Sequence, residues 1–229
     1  HGMTCTIAAN LATLGAGNAK ILSTVHNFPG ASVGVKKYVY SLLLGISLRS
    51  SNHVIFVSEA LRRYAKAKWN IPEAKTSVIY NGMDINSIEV SSGHSLLDMQ
   101  PAKIEEPPTA LCIARLIPEK GVDIYIKAAA LVLEKISIKN RNNKTYPVFL
   151  IAGIGPEDEK LKKMPIQMGI EGHVRFLGYR DDIYQLIRES DFIVLASYSE
   201  GLGLSLLEAM ALKKPVIGTS VGGIPEVVI

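Results

Sequence analysis

Short, continuous apolar runs alternate with helix-forming segments along nearly the whole chain, and few folds accommodate that alternation. The runs are 20–25 (KILSTV), 53–57 (HVIFV), 76–80 (TSVIY), 109–114 (TALCIA), 147–152 (PVFLIA), 173–177 (HVRFL), 191–196 (DFIVLA) and 215–219 (PVIGT). They are apolar at successive positions rather than at every second one, as strands of a parallel sheet covered on both faces must be. Helical patterns fall between them at 3–14, 34–48, 58–68, 121–135, 156–164, 181–189 and 204–212. In the second of these, Val35, Tyr38, Val39, Leu42, Leu43 and Ile46 recur near helical spacing. From about residue 86 the pattern lapses into serines, Gly93, Pro101, Pro107 and Pro108, and it restarts at 109. The expected fold is α/β: two doubly wound parallel-sheet units, 1–90 and 109–229, joined by a linker at 91–108.

Composition excludes several classes. With 229 residues, 48% of them hydrophobic and 20% charged, the balance is that of a globular protein. Cys5 and Cys112 lie far apart in apolar sequence and are expected to be reduced core thiols of a cytosolic protein. The histidines show no metal-ligand spacing, so no metal is expected, and no apolar run reaches membrane-spanning length. No signal peptide is recognisable. The first ninety residues carry an excess of Lys and Arg, while the remainder is nearly balanced. Arg62, Arg63, Lys66 and Lys68, with Trp69 beside them, read either as a contact for anionic lipid headgroups or as a solvated helix face, the second being favoured. Aromatic and basic residues do not interleave elsewhere, so nucleic acid is not an expected partner. The chain begins with His1 and stops at Ile229, just after Pro225 and Glu226, which are expected to open another helix, and is expected to be a piece of a longer protein.

Ligands of doubly wound sheets bind at the carboxyl ends of the strands. His26, Arg115, Gly153 and Gly155, Tyr179 and Arg180, and the stretch from Ser197 to Gly203 all follow strand ends. Glu200 and Glu208 flank a glycine-rich corner that opens the helix at 204. On one regular helix they would stand roughly 12 Å apart along the axis. Glu200 is therefore placed in the loop and Glu208 in the second helical turn. Gly201 and Gly203 let the backbone approach a ligand, and the first helical N–H groups face an anion. Such a site suits a molecule with a diphosphate in its middle and hydroxyls at both ends. Arg115 and Lys120 supply a bidentate fork and a point charge for that diphosphate without a metal. Gly153-Ile154-Gly155 is a tight turn bordering the ligand, and Tyr179 and Arg180 stand where a base would pack. Ser58 and the Asn81-Gly82 pair read better as a helix cap and a turn.

Taken together, TVHNFPG, VSEALRRY, VIYNGMD, ARLIPEKGVD, IAGIGPE, VRFLGY and SEGLGLSLLEAMALKKPVIGTSVGGIPEVV resemble the family 4 retaining glycosyltransferases of the GT-B fold, the group 1 glycosyl transferases. The last stretch contains the family's E-x7-E motif and is the most specific of them. The resemblance implies an enzyme that moves a sugar from a nucleotide-diphosphate sugar to a lipid-linked or polysaccharide acceptor. It further implies retention of configuration, no metal and no cofactor beyond the donor. Arg115 and Lys120 would hold the leaving diphosphate, Glu200 the sugar hydroxyls and Glu208 the ribose diol. Gly201, Leu202, Gly203 and Leu204 would offer backbone N–H groups, and His26 would stand at the acceptor side. Cytoplasmic location, peripheral at the inner membrane face, is the matching expectation. The family's first strand and glycine-rich loop and its closing helices are missing from this stretch. A donor-binding, non-catalytic fragment or subunit that needs a partner chain is therefore the alternative, with a nucleotide-sugar epimerase of the same fold behind it.

Overall fold

The structure, a computed structural model, describes residues 1–13, 19–29, 35–85, 88, 107–139 and 146–228. Most of the expected linker lies outside the described residues. The first unit runs α1 (Met3–Ala12), β1 (Leu22–Val25), α2 (Val35–Ser50), β2 (His53–Phe56), α3 (Glu59–Trp69) and β3 (Thr76–Val78). Its strands form a parallel sheet in the order β1-β2-β3. The second unit runs β4 (Thr109–Ile113), α4 (Val122–Lys139), β5 (Val148–Ala152), α5 (Asp158–Gln167), β6 (Val174–Gly178), α6 (Ile183–Glu189), β7 (Phe192–Leu195), α7 (Leu204–Ala211) and β8 (Val216–Gly218). Its sheet is ordered β6-β5-β4-β7-β8, with every neighbouring pair parallel.

That order locates the ligand edge. The chain starts in the middle at β4, steps outward through β5 and β6, and returns to the other side at β7 and β8. The strand order reverses between β4 and β7, and a crevice opens outside their carboxyl ends. Successive residues of β4 serve opposite faces of the sheet. Ala110 and Cys112 pack with Ile126, Ile151 and Leu161, whereas Leu111 packs with Ile187, Ile193 and Ala209. Both faces are thus covered, which is why these strands read as unbroken apolar runs. Burial pushes the Cys112 thiol up to about 12, the charge of Lys120 opposing only in part.

Local signals hold where they are strong. Ser58 caps α3, its Oγ accepting the Leu61 N–H at 3.3 Å, and Asn70 ends that helix in the left-handed region at φ 48°. Among the basic residues of α3, Arg62 pairs with Glu59 and Lys66 with Glu73, each at 2.6 Å. Lys68 lies over the rings of Tyr64 and Trp69. These intramolecular partners suit the solvated-face reading.

Three expectations need correction. Cys5 is exposed rather than a core thiol, because α1 turns Thr6 toward the protein instead. The apolar stripe of α2 lies outward, with Tyr38 72% and Leu42 53% exposed, while Leu44 and Leu48 are fully buried. That helix is apolar nearly all round, so periodicity does not choose its buried face. Gly45 does: a Cβ there would stand 2.4 Å from the Trp69 ring, so this side of the helix is the one pressed against α3. The helix that the sequence begins at 156–164, α5, runs on through Pro165, which is buried in its last turn. A proline there removes one hydrogen bond of the ladder and crowds the carbonyl four residues back. Pro225 and Glu226 belong to a single 3-10 turn, Ile224–Glu226.

Candidate functional site

The site is assembled where the loops after β4 and β7 touch. Gly121 adopts φ +59°, and a Cβ on it would lie 1.9 Å from the Ala196 carbonyl oxygen. Only glycine permits that approach. The contact presses the Pro118–Lys120 turn against the loop leading to Glu200, and the Tyr198 N–H bonds the Glu119 carbonyl at 2.9 Å. As a result Lys120 Nζ stands 2.5 Å from Glu200 Oε2, with side-chain exposures of 18% and 8%. Ser197 Oγ donates to the same carboxylate oxygen at 3.2 Å. An ammonium carries three donors, so Lys120 keeps two beyond the one held by Glu200.

Arg115 leaves the end of β4 exposed, and among the described residues no carboxylate pairs with it. It borders a cavity of about 250 Å³ whose walls come from both units: His26, Asn27 and Asn81 on one side, Lys120, Glu200 and Leu202 to Ser205 on the other. A second cavity of about 220 Å³ adjoins through Asn27, Arg115 and Lys120. Gly203, at φ 88°, turns the chain into α7, so the positive end of that helix opens on the first cavity. Two cations and a helix N-terminus together make a basin for an anionic group.

Glu208 sits in the second turn of α7, half-buried, and burial holds its carboxyl above the usual carboxylate range. Among the described residues neither a cation nor a hydrogen-bond donor meets it. The Tyr184 phenol nearby is raised by burial and then by the charges of Glu208 and Asp84. A carboxylate kept half-dry without a partner is a cost to the fold that a hydroxyl-bearing ligand would offset. The sign follows from linkage. A carboxyl whose folded pKa is raised destabilises the protein above that pKa, and the penalty disappears as the pH falls toward the unfolded value. Glu208→Gln is therefore expected to raise the melting temperature slightly at pH 7. That gain should fade on acidification, while ligand affinity falls at least tenfold. A melting temperature that drops at pH 7 would contradict this reading.

The glycine corner also joins the units. A Cβ on Gly201 would lie 1.9 Å from the His26 carbonyl oxygen, and Leu202 is buried with Val25 and Phe56 in the core of the first unit. Of the residues expected at the site, Arg115, Lys120, Glu200, His26, Leu202, Gly203 and Leu204 line the first cavity and Gly201 the second. Glu208 stands one turn further along α7. Gly153 and Gly155 line neither. A Cβ on them would meet the carbonyl oxygens of Ala114 and Leu116 at 1.9 and 2.3 Å, so they are glycine because two backbones pack there. Tyr179 projects outward, and Arg180 forks onto Asp182 within its own turn, Nε to Oδ1 at 2.7 Å. His26 Nε2 meets the His1 ring at 3.3 Å. Asn27 and Ser205 line the cavity although the sequence reading did not single them out, and Asn81, read there as part of a turn, lines it as well. Asn81 follows β3, and its position at a strand end was the available signal.

Among the described residues, no group of three or more His, Cys, Asp and Glu could hold a metal ion, and no helix is long and apolar enough to cross a membrane. Residues 97–229 match the profile described as glycosyl transferases group 1, and residues 1–87 that of glycosyltransferase family 4. The N-acetyl-alpha-D-glucosaminyl L-malate synthase of Bacillus anthracis is 29% identical over 91% of this chain and 52% of its own length. The UDP-Gal:alpha-D-GlcNAc-diphosphoundecaprenol alpha-1,3-galactosyltransferase of Escherichia coli is 26% identical over 97% of this chain and 57% of its own. The crystal structure of Anabaena HepE in complex with UDP-glucose superposes with a TM-score of 0.76 at 23% identity, covering 99% of this chain and 60% of that one. The chain spans about half the length of the curated relatives it matches.

Proposed function

The chain belongs to the group 1 glycosyl transferases, and from that premise we propose that it carries the donor side of a retaining, metal-independent transfer of a sugar from a nucleoside-diphosphate sugar. The Lys120–Glu200 pair beside the guanidinium of Arg115, which no carboxylate meets among the described residues, carries this reading. Arg115 and the free donors of Lys120 take the diphosphate and balance its charge as it leaves, so no divalent ion is required. Glu200, held by Lys120 and Ser197, accepts hydroxyl donors from the transferred sugar. Glu208 takes the ribose diol. His26, on the facing wall, stands at the acceptor, whose hydroxyl attacks the face from which the diphosphate departs and passes its proton toward that diphosphate. The acceptor is a glycan or lipid-linked sugar, in line with the diphosphoundecaprenol-linked substrate in the name of the Escherichia coli relative. Work on such an acceptor would bring the protein to the inner face of the membrane from the cytoplasm.

The test is thermal stabilisation of the chain by a panel of nucleoside diphosphates and their sugars, followed by product analysis with EDTA present. One nucleotide is expected to raise the melting temperature, at 100 times its Kd by about 2.7 kcal/mol of added stability. Glu208→Ala should abolish that shift, and the product should keep the donor's anomeric configuration. Binding without transfer would favour a donor-binding subunit, an altered free sugar nucleotide would favour an epimerase, and an absolute requirement for a divalent ion would overturn the metal-free mechanism.

A further inference from the structure

The two units are joined behind the site by a carboxylate that belongs to one and caps a helix of the other. Glu226 lies in the 3-10 turn Ile224–Glu226 of the second unit, yet its Oε2 accepts the Glu59 N–H at 2.8 Å and its Oε1 the Ala60 N–H at 2.7 Å. Those are the first two N–H groups of α3, which have no partner inside the helix. Helices commonly satisfy them from their own sequence, and Ser58 does so here for Leu61. For Glu59 and Ala60 the acceptor comes from a residue 166 positions or more further along the chain. Tyr80, just after β3, donates its hydroxyl to Oε2 at 2.9 Å, so three donors of the first unit converge on one carboxylate of the second. Charge-assisted bonds to a helix N-terminus are the stronger kind.

The backbone of this carboxylate is anchored in the second unit and tied to the site. Ile224 is 2% exposed, packed with Leu195 and Leu206. The Gly223 N–H bonds the Glu200 carbonyl at 3.0 Å. A Cβ on Gly222 would stand 2.0 Å from that carbonyl oxygen, and one on Gly223 2.2 Å from the Gly201 oxygen and 2.9 Å from Ser58 Cβ. The segment is thus wedged between the Glu200–Gly201 loop and the start of α3.

We propose that Glu226 is a positioning residue: it latches the first unit to the second and sets the separation between the His26 wall and the Glu200 loop. Its catalytic consequence rests on the function proposed above, whereas the latch itself does not. Glu226 touches neither cavity, so its loss leaves the donor groups intact and misplaces the acceptor wall. A misplacement of about 1 Å between reacting groups costs on the order of 10²-fold in rate.

The experiment compares wild type, Glu226→Gln and Tyr80→Phe by two readouts. The first is the distance distribution between spin labels on Arg63→Cys and Lys163→Cys, one in each unit, in a Cys5→Ser background. The second is steady-state kinetics with a separate titration of donor affinity. Glu226→Gln, which places an amide against two N–H donors, is expected to lengthen or broaden the distance. It should lower kcat at least tenfold and raise the acceptor KM, with donor Kd within twofold of wild type. Tyr80→Phe is expected to shift the same readouts less, and it decides the matter if the glutamine variant does not fold. An unchanged distance distribution overturns the latch, as does a parallel loss of donor affinity. If the wild type binds no nucleoside diphosphate, the proposed function fails while the distance measurement still decides the latch.

Discussion

Lys120→Ala is expected to lower kcat by roughly 10²–10³-fold, the loss seen when one preorganised donor to a developing charge is removed. On the proposed function, donor binding should weaken less, by about tenfold, because Arg115 and the start of α7 would still face the diphosphate and the lysine would matter most as negative charge builds on the leaving group. The same change should destabilise the fold. It strips the partner from Glu200, whose side chain is 8% exposed. Breaking such a pair costs on the order of 3 kcal/mol when the remaining charge stays dry. Truncation of Lys120 admits water from the cavity side, so the measured loss should fall below that figure. Lys120→Ala and Lys120→Ala/Glu200→Ala together separate the effects. The double variant should recover stability relative to the single one without recovering activity, since paired groups are not additive. A single variant with kcat within tenfold of wild type would remove Lys120 from the chemistry.

Gly201→Ala should be among the most damaging single methyl groups that the described residues could acquire. Its Cβ would stand 1.9 Å from the His26 carbonyl oxygen and 3.4 Å from Asn27 Oδ1. The first of these is backbone and cannot swing aside. Gly201 has no left-handed φ, so the cost is one of contact between the two units and not of local strain. Relief requires the glycine corner and the His26 wall to part. Overpacking of this kind costs about 1–3 kcal/mol, and the altered separation is expected to reduce kcat/KM by roughly 10²-fold. Gly172→Ala serves as the control, because nothing lies within 4 Å of the position its Cβ would take. If Gly201→Ala kept kcat/KM within threefold of wild type, the corner would not be a fixed spacer between the units.

Much of this architecture was legible because its signals are local or repeated. Apolar runs between helical segments call for a parallel, two-sided sheet. Ser58 before α3, and Glu157, Asp158 and Glu159 around the start of α5, are end signals that act within one helical turn. The pair Glu200 and Glu208 was separable into loop and helix because the glycines between them cannot sit comfortably inside a helix. Less legible were the glycines that resemble ligand contacts. Gly153 and Gly155 read in sequence as a tight turn bordering the ligand, and the structure adds that a Cβ on either would meet a backbone carbonyl of the neighbouring strand-end loop. The buried face of α2 was equally hidden, since hydrophobic residues surround that helix and only the position of Trp69 selects one side.

The sequence alone thus determined the alternation of strands and helices, the capped start of α3, and the chemical groups set at the strand ends. These follow from interactions within a few residues and from the need to bury both faces of a sheet. The tertiary structure alone decided which of those groups meet. Sheet order brings the ends of β4 and β7 together, so Lys120 pairs with Glu200 across 80 residues and Glu226 caps a helix 166 positions away. Such partnerships depend on how distant segments pack in space, and no periodicity or spacing along the chain encodes them.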